Sequence, residues 1–547
     1  MVGYVRAQIL LLLGLLCFGK ARRLKILIHN PTLGHSHLHF NGAIADALVD
    51  AGHTVHLFVP DWFPGITTNG SIKAHKITRF SPSRSPKIRQ AKFIEYPFQY
   101  NELDFGDFAN TTVQFCEDMI SDKSLIAELT SEHYDVAITE FFDYCMPGIF
   151  EVIGAKAKIF TEATPMMPML TINWGIPSFL SYIPDPTKAP LSTPRLGYFD
   201  RARNLLRNLL QRYLTWKFLE KTTQRFRGIY GEKFPHIAQI VQNVSYAFIN
   251  SIDALDLPRP ISHKIVNIGG INIKAPITEL PKVVIPLWLF KMICFKDVRE
   301  IFFLAKKGVI LFSLGSIVNT TLMPDAQKSA FIEAFRQFPD YEFVWKVDQT
   351  DILYKMFRNY SNVHTIDWID QTTLLAHPKL KLFMSHCGLN SLTEAAYSGT
   401  PILSIPIFAD QQYNAAIVKQ QGIGETLEFD KITTEVLVDT LRKLLSYPRY
   451  QKKADQLKKK LLTHPRGNPK EVVVKYVEYA AENSDLTNLN LLSANMDFVT
   501  LNCLDIIVPA VVIAVLMAAG VLRLLALVLR WSLRGRGSDG YEKRKPE

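Results

Sequence analysis

The 44 positions from Trp368 to Gln411, WIDQTTLLAHPKLKLFMSHCGLNSLTEAAYSGTPILSIPIFADQ, constrain this chain most, because strand, polar loop, helix and strand follow one another without a gap. Leu382–Met384 is an apolar run suited to a buried strand, Ser385–Asn390 a small polar loop with Gly388, and Ser391–Tyr397 a helix closed by Gly399. A second strand, Pro401–Ile405, precedes the polar triplet Asp410-Gln411-Gln412. The first turn of such a helix offers unpaired N–H groups and the positive end of its dipole, so a diphosphate can bind there without a metal. His386, Asn390 and Ser391 add side-chain donors at that point. Glu394, one turn further, can accept two hydrogen bonds from vicinal ribose hydroxyls. Carboxylate and amide groups at 410–412 suit sugar hydroxyls.

Trp368, Gln371, His386, Gly388, Asn390, Ser391, Glu394, Pro401, Pro406, Asp410 and Gln411 fall at the spacing of the UDP-glycosyltransferase signature. The chain resembles a membrane-anchored enzyme of the UDP-glucuronosyltransferase type. The resemblance implies that Trp368 stacks on uracil, Gln371 holds the nucleoside, Glu394 the ribose, and His386, Asn390 and Ser391 the diphosphate. It assigns the sugar to Asp410 and Gln411, and has Gly315 and Ser316 also reach the donor phosphates. Asp370 departs from the pattern, standing where the family usually has proline; the expected effect is a looser turn with no ligand lost. Singly, each residue has a plainer reading: Trp368 as a core aromatic, Glu394 as a solvated helix charge, His386 as a satisfied loop histidine. The joint spacing decides for the site.

With 547 residues, 48% hydrophobic and 21% charged, the chain is long enough for two ordinary domains plus membrane segments. Residues 1–19 combine Arg6, the apolar run Ile9–Phe18 and Gly19, and read as a signal peptide too short to span a bilayer. Ile506–Leu522 is uncharged, and a transmembrane helix is expected over 504–529. No Lys or Arg lies between Lys475 and Arg523, whereas Arg530, Arg534, Arg536, Lys543, Arg544 and Lys545 follow, so 530–547 reads as a basic cytosolic tail. Lysines third and fifth from the end resemble a dilysine retrieval signal. The expectation is a single-pass type I protein of the endoplasmic reticulum membrane with a lumenal body. Sequons at Asn69, Asn110, Asn243, Asn319 and Asn359 agree with it, although Asn319 and Asn359 adjoin expected core elements.

No CxxC spacing exists among the six cysteines, so zinc is not supported, and Cys387 reads as a small packing residue. The formal charge of +11 comes without a nucleic-acid-binding motif. An anionic donor or a membrane surface is the simpler partner.

Leu24–His29, a loop, a helix through Asp50 and Thr54–Val59 form a βαβ opening. It lacks GxGxxG, which disfavours a dinucleotide cofactor. Further strands are expected at Val136–Thr139 and Lys158–Phe160. The amphipathic stretch Arg201–Phe226, with Arg203, Arg207, Arg212, Lys217 and Lys221 beside Leu205, Leu209, Leu210 and Trp216, reads as a surface helix touching membrane or acceptor cleft, simple domain packing being the plainer alternative. The alternation repeats from Val309–Leu314 through helix Asp325–Phe338 and strand Glu342–Lys346. The fold expected is α/β; the resemblance implies two facing Rossmann-like domains, the GT-B arrangement, followed by the transmembrane helix. Residues 20–280 would bind the acceptor and 309–485 the UDP-sugar. The connector, 281–308, carries an apolar insert, Val283–Phe295, that is longer than relatives lead one to expect and too short to span a membrane.

Inverting glycosyl transfer needs a base to take the acceptor proton, and histidine suits that task near neutral pH. In Gly34-His35-Ser36-His37-Leu38-His39, His37 matches the family's catalytic histidine by register. On a helix, positions two apart face different ways, so no metal site is expected. The carboxylate that orients such a base is commonly aspartate in the family; here the position is Glu140, with Asp143 as the alternative acid. The implied reaction moves a hexose or glucuronate from UDP-glucose or UDP-glucuronate, a co-substrate, to a hydroxyl of a small lipophilic acceptor, without cofactor. The alternative is an inactive UDP-sugar-binding or regulatory membrane subunit, prompted by Glu140 and the insert. Sugar, acceptor and oligomeric state, a homo-oligomer included, are left open by the sequence.

Overall fold

The computed structural model describes residues 22–63, 66–82, 97–99, 105–186, 196–273, 296–347 and 360–535. The expected signal peptide, the insert Val283–Phe295, Asn359 and the end of the basic tail lie outside these residues. The chain divides into a compact unit of 490 residues, Met1–Asn490, and a second unit, Leu491–Glu547.

The first unit holds two parallel sheets. In the first, β1 (Lys25–His29), β2 (Thr54–Pro60), β3 (Lys76–Phe80), β4 (Val136–Glu140), β5 (Ala157–Glu162), β6 (Tyr246–Ile249) and β7 (Ile265–Asn267) run in the order 3-2-1-4-5-6-7. In the second, β8 (Gly308–Ser313), β9 (Tyr341–Lys346), β10 (Val363–Ile366), β11 (Leu380–Ser385), β12 (Ile402–Ser404) and β13 (Gly424–Thr426) run 10-9-8-11-12-13. Central strands such as β4 and β8 are buried along their whole length. That is why they read as continuous apolar runs rather than alternating ones. β3, by contrast, alternates intermediate and exposed positions at the sheet edge, and its short charged sequence gave little signal. The strand order reverses between β1 and β4, and again between β8 and β11, and ligands of doubly wound sheets bind at the carboxyl ends of strands at such points.

Seven helices bear on the site: α1 (His35–Asp50), α2 (Cys145–Val152), α3 (Tyr198–Tyr230), α4 (Gln371–Leu375), α5 (Leu389–Ser398), α6 (Gln411–Gln421) and α7 (Pro469–Glu482). Val473, Val477 and Ala480 of α7 are fully buried in the core of the first sheet, with Ile28, Val55 and Phe248. The second sheet receives residues from upstream of the expected connector in return, since Ile252, Leu255 and Ile273 lie in its core with Val309 and Phe383. Each half is thus closed by chain from the other. A disulfide, Cys116–Cys145, ties the helix Phe105–Ser121 to the start of α2.

In the second unit, the helix Leu504–Gly535 contains a segment, Leu504–Leu533, long and apolar enough by length and composition to cross a membrane, with a mean hydropathy of 2.7. Pro509 lies near its start, where few backbone bonds are disturbed.

Candidate active site

The first half of the site is built from the two strands that flank the sheet's switch point. β1 leads through Gly34 into α1, whose first turn carries His37, and β4 ends at Glu140. His37 Nδ1 lies 2.8 Å from Glu140 Oε1. The glutamate is wholly buried and is held from two other directions: Asn41 Nδ2 donates to Oε2 at 3.0 Å and the Ala163 N–H to Oε1 at 2.9 Å. Asn41 is fixed in turn by the Thr161 hydroxyl at 2.7 Å. Burial of the His37 ring works to lower its pKa, but the charge and hydrogen bond of Glu140, with Asp410 adding to them, outweigh this and raise it above the ordinary value. Phe142 packs edge-on against the ring, 5.1 Å between centroids.

Asp143 is engaged elsewhere. Its Oδ1 accepts from the Cys145 and Met146 N–H groups at the start of α2, and burial pushes its carboxyl up to about 6. Glu162, at the end of β5, closes the turn at Met167 N at 3.1 Å, and burial raises its pKa well above the ordinary range. Of these three carboxylates, Glu140 is the one hydrogen-bonded to His37. His53 is buried at the start of β2, where Nδ1 accepts from Leu24 N and Nε2 lies 3.4 Å from Glu478, and His35 stacks with His39.

The second half forms at the other switch point. β8 ends at the turn of Gly315 and Ser316; β11 ends at His386, and Gly388 opens α5. The His386 ring is clamped between these glycines: a Cβ on Gly315 would stand 2.7 Å from the ring and one on Gly388 2.6 Å. Gly315 also has φ +85°, which a side chain rarely tolerates. Burial, then the charge of Lys346, pushes the His386 pKa down to about 4, so the imidazole is neutral at ordinary pH. Its Nδ1 is buried with no hydrogen-bond partner inside the protein. A buried polar atom of this kind is costly unless a ligand satisfies it.

Gln371 opens α4 and its Nε2 donates to Ser391 Oγ at 3.2 Å and to Glu394 Oε2 at 2.7 Å, which joins three signature residues. Asp370 does not loosen this turn. It caps α4, accepting from Thr373 N at 3.3 Å and the Thr373 hydroxyl at 2.9 Å, so the aspartate replaces proline's rigidity with a hydrogen-bonded cap. Trp368 is not a core aromatic: it is 56% exposed, with Lys346 Nζ 4.8 Å from its ring centroid. Asp410 is buried, accepts from Asn414 Nδ2 at 2.8 Å, and burial raises its pKa against the pull of His37. Gln411 Oε1 accepts from Ile407 N and Phe408 N, which leaves its amide N–H groups to face a ligand. Cys387 is buried and its thiol is pushed up to about 12, which suits packing rather than nucleophilic chemistry.

The two halves meet through one hydrogen-bonded line. Asn250 Nδ2, at the end of β6, lies 3.0 Å from Ala163 O and 2.9 Å from Asn390 Oδ1, so the residue that braces Glu140 is one bridge away from the loop of α5. Asn41, Asn250 and Lys346 were not singled out from sequence. Only Asn41 had a readable signal, since it stands four residues after His37 on the same helix face. Lys346 ends β9 and donates to Gly315 O at 3.0 Å, a position that no motif marks. Among the described residues no cluster of His, Cys, Asp or Glu is arranged to hold a metal.

Two doubly wound parallel sheets with their switch points joined in one site define the GT-B class of glycosyltransferase. Solved structures agree on the fold: the glycotransferase of kitacinnamycin superposes with a TM-score of 0.57 at 16% identity, covering 83% of this chain and 99% of that one. The UDP-glucose: anthocyanidin 3-O-glucosyltransferase in complex with UDP gives 0.56 at 14%, covering 84% and 100%. The family described as UDP-glucoronosyl and UDP-glucosyl transferase matches residues 66–538. Similar curated proteins include one assigned by name to the UDP-glucuronosyltransferases, ugt-48 of Caenorhabditis elegans, 30% identical over 513 residues, 90% of this chain and 92% of that protein. The UDP-glucuronosyltransferase 3A2 of Homo sapiens is 27% identical over 504 residues, covering 88% and 89%. The chain belongs to the UDP-glucuronosyl and UDP-glucosyl transferase family, and is a UDP-glycosyltransferase of the UDP-glucuronosyltransferase type.

Proposed function

We propose that this protein inverts a UDP-sugar onto a hydroxyl of a small lipophilic acceptor, with His37 as the base and Glu140 as the residue that orients it. The observation that carries this reading is the buried His37–Glu140 pair at 2.8 Å, coupled electrostatically to Asp410 of the other half. With Nδ1 engaged by Glu140, His37 Nε2 is the atom left to take a proton. The acceptor oxygen bonds to the anomeric carbon as its proton passes to Nε2. The bond from that carbon to the diphosphate breaks, and UDP leaves with the electron pair. Glu140 stabilises the imidazolium so formed.

On the donor side, the first turn of α5 supplies backbone N–H groups to the departing diphosphate, and His386 supplies a neutral hydrogen bond. Ser391 and Asn390 add donors; Gly315 and Ser316 line the approach; Gln371 and Glu394, already paired, hold the ribose; and Trp368 stacks on the base. Asp410 and Gln411 orient the sugar. Relatives named UDP-glucuronosyltransferases support UDP-glucuronate as donor, with UDP-glucose as the competitor. No cofactor or metal is assigned.

The Cys116–Cys145 disulfide supports a body in an oxidising compartment, as expected for the endoplasmic reticulum lumen. Asn243 is an exposed sequon suited to glycosylation there. The candidate span and the lysines that follow it support a type I anchor. The test is transfer from UDP-glucuronate and UDP-glucose to a panel of lipophilic phenols by the full chain in membranes. His37→Ala should abolish transfer and keep UDP affinity; full activity in that variant would overturn the assignment.

A further inference from the structure

The helix α3 is inside out for a soluble surface helix. Its polar residues face the body: Asn204 and Asn208 are each 7% exposed, and Asn204 Nδ2 donates to the Leu180 and Ile183 carbonyls at 2.9 and 2.8 Å. Gln211 binds Asp185 Oδ2 at 3.0 Å from the same side. The opposite side carries Phe199, Leu206, Leu210, Tyr213 and Trp216, each more than half exposed. The first four recur at helical spacing as one stripe, where a solvated helix would place charge. Arg201, Arg203 and Lys217 are exposed alongside, and residues 198–217 contain five Lys or Arg against the single acid Asp200.

We propose that this face seats in the headgroup–acyl boundary of an anionic bilayer, as a membrane contact separate from the span in the second unit. An apolar stripe flanked by cations, with Tyr and Trp in it, matches an anionic lipid interface in both polarity and charge. A second copy of the chain fits less well, because a two-fold contact sets the same cations against each other. The candidate span means that a bilayer is present for the same chain. The proposal does not depend on the transferase mechanism.

The experiment uses the full chain in vesicles of phosphatidylcholine with phosphatidylserine, with photoreactive p-benzoylphenylalanine placed at Phe199, Leu206 or Leu210 in turn, and at exposed Lys459 as control. Phospholipid adducts are expected at the first three positions and not at Lys459, with a several-fold lower yield in phosphatidylcholine alone. The change at Phe199 is the mildest, so that position stands if another variant misfolds. Adducts to protein instead of lipid, equal lipid labelling at Lys459, or no lipid adduct at Phe199 would overturn the bilayer as occupant. An unchanged yield in phosphatidylcholine would overturn the role of the cations.

Discussion

Glu140→Gln is the change that most directly tests how the two buried side chains work together. The substitution keeps shape and volume but removes the charge that faces His37 and places an amide N–H₂ among three donors, His37, Asn41 Nδ2 and Ala163 N. A hydrogen bond to a charged group is worth roughly 1.5–3 kcal/mol net. At about 1.4 kcal/mol per factor of ten, losing it from the imidazolium of the transition state lowers kcat by about one to two orders of magnitude. The same loss moves the pH profile. Burial alone lowers the His37 pKa, and Glu140 is the main influence raising it above the ordinary histidine value. The base works when neutral, so wild-type activity is lost as pH falls through that raised pKa, and in Glu140→Gln this acid limb moves to lower pH. The assay is kcat and kcat/KM against pH for the full chain in membranes, with saturating UDP-sugar and a phenolic acceptor. The donor KM should stay within about twofold, since Glu140 touches no donor residue. A variant with undiminished kcat and an unmoved acid limb would refute the dyad.

Gly315→Ala places a Cβ 2.7 Å from the His386 ring at φ +85°, so UDP affinity should fall at least about tenfold, and overpacking of this kind costs about 1–3 kcal/mol; calorimetry of UDP binding and thermal unfolding check both. Asp143→Ala should cost about 1 kcal/mol through the lost turn at Cys145 N and leave the pH profile of transfer in place; a collapse of kcat with the fold intact would give Asp143 a role in the chemistry. The buried Asp143 carboxyl has a folded pKa of about 6, above its unfolded value, so it binds its proton more tightly when folded. Its stabilising effect is full at pH below the unfolded value and lost as pH rises through about 6, which denaturant midpoints of wild type and Asp143→Asn at pH 4 and pH 7 would separate. Replacing Cys116 and Cys145 with serine opens a link across 29 positions and should destabilise by about 2–4 kcal/mol, read as the shift in urea midpoint.

The donor half was legible because its chemistry is local. The strand, loop and helix of β11 and α5 stand together in the chain, so spacing alone reported a diphosphate site, and the buried parallel strands announced themselves as apolar runs. Edge strand β3 and short strands β7 and β13 were not found, since a few residues with partial burial leave no period to read. Asp370 misled as a departure from pattern, because capping by Asp needs only the N–H of Thr373 and no proline.

The sequence by itself determined that the chain would form two α/β halves, carry an anion site around His386–Glu394 and place a histidine at the start of its first helix. Those are properties of neighbours, fixed by the helix and strand periods. Which carboxylate meets His37 was decided by the tertiary structure alone: Glu140 lies 103 positions away, and β1 and β4 become adjacent only when the sheet forms. The bridge from Ala163 through Asn250 to Asn390 spans both halves, and the outward stripe of α3 is defined by which side the body covers. Distant side chains are brought within hydrogen-bond range by burial of the sheets' apolar faces, and no local pattern encodes that meeting.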